Sequence, residues 1–168
     1  MKHKISTVFC GVLALALMAC GNLNDEIKNN AMKNVMDNVD NPETISIIAI
    51  SEPDSVFGLE YISPKERKLI INVMNKVTEA IMKKTDNMTK VETIDYYVMD
   101  LAQRQLQVGP QLTQIIESKV PKGDFSGWKV RIDFSAKGDH DITYRGERWV
   151  YLSKDGKTVL NSFELPLP

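Results

Sequence analysis

The chain has 168 residues, 43% of them hydrophobic and 26% charged, and a formal net charge of -1. That length suits one domain large enough to bury a core, and the composition excludes collagen, a coiled coil and wholesale disorder. The near-neutral balance also argues against a nucleic-acid partner, which calls for a basic stripe to neutralise phosphates.

Lys2, His3 and Lys4 give a positive start, and Ile5 to Ala19 then runs without a charged residue. The run falls short of the roughly 20 residues that cross a bilayer and fits the apolar region of a secretory signal. Leu17-Met18-Ala19-Cys20 follows directly: an aliphatic residue, two small or neutral ones and a cysteine. This stretch resembles the lipobox of bacterial lipoproteins, with Met18 larger than the commonest residue at its position. The resemblance implies cleavage between Ala19 and Cys20, with a diacylglycerol on the Cys20 thiol. Residues 1–19 are then a signal peptide, 20–24 a lipidated tether and 25–168 a single domain.

Several acyl chains of the palmitate kind, at about 0.8 kcal/mol per buried CH₂, would hold the protein on a membrane without a spanning helix. Gly21 stands where aspartate retains many lipoproteins in the inner membrane. By the same resemblance this favours the outer membrane, on its periplasmic side or at the cell surface. Cys10 leaves with the signal, so the expected mature chain has one cysteine, already acylated, and no intrachain disulfide. It keeps 149 residues with 19 basic and 22 acidic side chains, a formal charge of -3.

A patchy stripe of Leu23, Ile27, Met32, Val35, Met36 and Val39 predicts a modest helix from Asp25 to Val39, closed by Asn41-Pro42. The β-branched run 44–50 predicts a strand, and 55–62 an irregular or extended segment. Ser63-Pro64-Lys65-Glu66 is a helix start with a capping serine, proline in the first turn and a glutamate three residues on. Ile70, Val73, Met74, Val77 and Ile81 then share one helical face. A second start is expected at Thr89, with Glu92 behind it, and Gly109-Pro110 is expected to kink or split that helix. The two helices most simply form an antiparallel pair.

From Gly127 the apolar period falls to two. Trp128, Val130, Ile132 and Phe134 alternate with Lys129, Arg131, Asp133 and Ser135, the pattern of a half-buried strand. Lys137-Gly138-Asp139 supplies a turn, Gly146 a candidate bulge and Asp155-Gly156 a hairpin signal. The expected class is α+β: helices followed by a three- to four-stranded antiparallel β-meander packed on a helical pair. That order resembles the cystatin-like and NTF2-like layouts in topology alone. With Asn41-Pro42-Glu43-Thr44 before a strand, it also resembles small envelope lipoproteins, a likeness that implies no activity.

Catalytic chemistry finds little to stand on. Asp139-His140-Asp141 offers metal-ligating groups, but neighbours on a strand point to opposite faces, and a site needs ligands from several segments. There is no Gly-x-Ser-x-Gly elbow, phosphate-cradling glycine loop or cysteine-based metal pattern, so neither catalytic residues, metal nor cofactor is assigned. Asp54-Ser55-Val56 resembles an O-glycosylation acceptor of some exported bacterial proteins, which makes Ser55 a candidate against the simpler reading of a turn. Trp149 and Tyr151, out of phase with Val150 and Leu152, form either an exposed binding patch or a buried layer beneath the N-terminal helix.

The reading that follows is a non-enzymatic, lipid-anchored envelope protein that binds a protein partner or envelope component. Its alternative is a small-ligand or inhibitory module, with a pocket bounded by Tyr97, Trp128 and Phe134. A hydrolase acting on envelope material comes third and requires converging carboxylates.

Overall fold

The structure, a computed structural model, describes residues 23–58, 60–87, 89 and 94–168. The apolar run, the lipobox and Cys20 lie outside the described residues, as do residues 90–93 of the second expected helix start. The architecture is α+β. Helix α1 (residues 23–36) is followed by a 3-10 turn at Pro42–Thr44 and two short strands, β1 (Ser46–Ile50) and β2 (Asp54–Phe57). Helices α2 (Pro64–Lys84) and α3 (Tyr96–Glu117) come next, then β3 (Phe125–Lys137), β4 (Thr143–Leu152) and β5 (Val159–Leu167). None of the described helices is long and apolar enough to cross a membrane.

Helix α2 starts as its sequence requires. The Ser63 hydroxyl oxygen accepts from the Glu66 amide, while the Glu66 carboxylate accepts from the Ser63 amide. The described part of α3 begins at Tyr96 rather than Thr89, because the Asp95 carboxylate accepts from the Val98 amide at 2.8 Å and caps the helix there. Pro110 does not split α3, which runs unbroken to Glu117. Pro110 and the 77% exposed Leu106 both face solvent, so the carbonyl that loses its partner meets water. Arg67 near the start of α2 donates to the Ile116 and Ser118 carbonyls, and Gln105 reaches Thr78, which makes the pair antiparallel.

The sheet has five strands in the order β1-β3-β4-β5, every pair antiparallel. It exceeds the expected meander because the 13-residue β3 is long enough to pair β2 along its first half and β1 along its second. Gly146 is not a bulge: the β3–β4 register passes regularly through Phe134↔Gly146. Its missing side chain makes room for the Phe134 ring and the Glu164 carboxylate, both within 3.2 Å of where a Cβ would stand.

Both faces of the sheet are covered. Ile27, Ala31 and Val35 of α1 bury against Val130, Ile132, Phe134, Val150 and Leu152. On the other face, Ile70 of α2 and Leu112 of α3 bury against Trp149, Tyr151, Phe163 and Leu165. Trp149 and Tyr151 are therefore not an exposed patch, and the layer over them is α2 and α3 rather than the N-terminal helix. The alternation of β4 divides its residues between two cores instead of between core and water.

Candidate functional site

A cleft of about 630 Å³ opens between β2, the start of α2 and β3. Lys129 stands in it with only 8% of its side chain exposed, bonded to the Glu66 carboxylate and 3.2 Å from Asp54 Oδ2. A buried ammonium needs such partners, since an unpaired charge at this depth would cost several kcal/mol. Burial alone would raise the Glu66 carboxyl, but hydrogen bonds from Lys129 and Ser63 outweigh it and hold the group below its ordinary value. Glu66 thus caps α2 and neutralises Lys129 at once, which locks the helix start to the sheet. Arg131, from the same strand face, lies 5.7 Å from the Trp149 ring, and Lys129 lies 5.4 Å from it.

Tyr151 lines the inner part of this cleft and also lines a second one, of about 440 Å³, with Ile62, Gln111, Gln114 and Asn161. Its hydroxyl is buried and has no hydrogen-bond partner among the described residues. Burial, with the nearby Glu66 and Asp54 charges, pushes the phenol strongly up, so it stays protonated as a donor. Arg131 and an unpaired phenol on one side, with three amide side chains on the other and the Glu60 and Glu117 carboxylates beside them, suit a neutral ligand carrying hydroxyl oxygens.

A third cleft, of about 370 Å³, holds a polar network. Arg104 donates to Asp100 at 2.9 Å and to Asp40 at 3.0 Å, and its guanidinium lies 3.3 Å from the Tyr144 ring centroid. Beside it, Arg148 donates to Glu164 at 2.7 Å. Burial would lower the Arg104 guanidinium, but Asp100, Tyr144 and Asp40 hold it charged. Because it joins α3 to the segment after α1 and to the sheet, the network acts as a structural clasp.

The residues singled out in the sequence do not converge. Ser55 is exposed in β2 at the rim of the first cleft. His140 sits at the β3–β4 turn with φ 56°, its ring stacked on Tyr96 at 4.6 Å. Among the described residues, no three His, Cys, Asp or Glu side chains gather to hold a metal. Trp128 and Phe134 belong to the layer under α1, and Tyr97 to a helix that packs on the opposite one, so the expected pocket does not form between them. The first cleft escapes the sequence reading because Lys129 occupies a strand position that reads as solvent-facing. No protein-family model, curated protein or solved structure matches the chain.

Proposed function

We propose that the protein is a lipid-anchored component of the cell envelope that acts by binding a protein partner or envelope component. The observation that carries this reading is Leu17-Met18-Ala19-Cys20, set after a positive start and an uncharged run. Cys20 would bear the lipid, and Gly21 would direct the protein to the outer membrane. The close spacing of Cys20 and Leu23, which already lies in α1, supports a domain held directly at the lipid surface. Replacing Cys20 with alanine tests it: labelling with a fatty acid should disappear, and labelling that survives the change refutes the anchor.

A second reading, binding of a small ligand, is supported by the unpaired Tyr151 hydroxyl between two clefts. Native mass spectrometry of the protein incubated with envelope extract should then show an oxygen-rich adduct that Tyr151→Phe weakens. An adduct unchanged by that substitution would remove Tyr151 from the site.

A further inference from the structure

We infer that one end of the sheet, bearing Phe57, Phe125 and Trp128, lies against the phospholipid surface that holds the anchor. The inference rests on the lipid-anchor reading. Three Cα–Cα steps of about 3.8 Å each let Cys20 lie no farther than about 11 Å from Leu23. Leu23 in turn sits at the tip of the β4–β5 hairpin, where its side chain comes within 3.4 Å of the Cβ position of Gly156. The lipid is thereby tied to one end of the molecule. The opposite end, with the β3–β4 turn, lies at the far end of α1, where Asn41 Nδ2 donates to the Lys137 carbonyl.

The hairpin end carries an interfacial composition. Trp128 Nε1 donates to the Lys154 carbonyl at 3.0 Å, next to the hairpin tip. Phe125 meets Trp128 edge-on at 5.3 Å and Phe57 at 6.2 Å, and all three residues are only partly buried. The Lys122 ammonium lies 4.1 Å from the Phe57 ring centroid, and Lys154 lies 5.9 Å from that of Phe125. Val120, 40% exposed, adds an aliphatic side chain between Lys119 and Lys122.

Aromatic rings with apolar bodies and polar edges, flanked by lysines whose ammonium groups lie beside those rings, are suited to the headgroup layer of a bilayer. Asp124 and Asp155 are also exposed here, so the contact depends on the rings more than on net charge. The cleft over Lys129 shares Phe57 and Lys122 with this end, and it would open beside the headgroups.

The test uses the full-length lipidated protein, taken from its membrane into vesicles of phosphatidylethanolamine and phosphatidylglycerol brominated near the headgroup. Trp128 and Trp149 are the two tryptophans, and Trp149 is sealed in the core. Emission from Trp128 should be quenched to roughly half, whereas Trp149 should be untouched. Trp128→Phe should abolish the quenching, and Trp149→Phe should leave it intact, so the assignment does not depend on one variant. An acylated chain that floats with the vesicles while Trp128 stays unquenched overturns this inference and leaves the anchor standing. A chain that carries no acyl mass and does not float overturns both.

Discussion

Trp149→Ala probes the double-sided burial on which the fold is built. The ring is fully buried, lies 5.3 Å from Phe163 at an interplanar angle of 29°, and donates from Nε1 to Glu147 at 2.7 Å. Burial of about 200 Å² of aromatic side chain at ~25 cal/mol per Å² is worth ~5 kcal/mol. Alanine retains a little of this and the cavity partly collapses, so the expected loss is about 4 kcal/mol, within the range for tryptophan truncation. For a domain of this size each kcal/mol lowers Tm by roughly 2–4 °C, which puts the drop at ~8–16 °C. Ile27→Ala, in the separate core under α1, should cost about 2–5 kcal/mol on its own, and the two losses should add within ~0.5 kcal/mol. Urea and thermal unfolding of the single and double variants measure this. A Trp149→Ala loss below ~1 kcal/mol would show that α2 and α3 do not cover that face.

Three further outcomes follow from particular contacts. Glu66 is held below its ordinary value of 4.5, so its contribution is complete above about pH 4.5 and lost as the carboxylate is protonated in acid. Tm should fall on the acid side, and Glu66→Gln should flatten that slope; an unchanged slope would remove the Lys129 pair from the account. Burial, only partly opposed by Arg104, pushes Tyr144 up to about 12, and Tyr151 is raised further. Stability should therefore be complete below the ordinary tyrosine value near 10 and decline as pH rises through the folded-state values, with both phenols ionising only as the chain unfolds. Ultraviolet titration beside circular dichroism checks it, and early ionisation of both without unfolding contradicts it. Finally, a Cβ on Gly127, whose φ is +153°, would stand 1.9 Å from the Leu152 carbonyl oxygen. Gly127→Ala should cost more than ~3 kcal/mol in urea unfolding, and a neutral result would place the β3–β4 pairing elsewhere.

The sequence made local events legible. The α2 start was readable because Ser63, Pro64 and Glu66 act within one turn of helix. The apolar phase of β3 was readable because side chains alternate whatever lies across from them. Alternation does not say that the second face is wet, however. Lys129 reads as a surface residue, yet it is buried because helices cover the sheet on both sides. Trp149 and Tyr151 were ambiguous for the same reason. The cap of α3 at Asp95 was not legible, because the reading rested on the spacing of Thr89 and Glu92 and a lone aspartate carries no comparable pattern.

The candidate sites divide along the same line. The lipobox is contiguous and can be read directly. The Lys129 cleft joins residues of β2, α2, β3 and β4, far apart in sequence, and no short motif records such a meeting. Tyr151 could have been flagged only as a large polar aromatic on a strand of alternating bulk, which does not distinguish a packed ring from one with an unpaired hydroxyl.

The most direct test of the lipid anchor is the intact mass of the protein extracted from its native membrane. The account predicts a chain that begins at Cys20 and carries the added mass of a diacylglycerol on that residue. A chain that retains residues 1–19, or one that begins elsewhere with an unmodified cysteine, would contradict it.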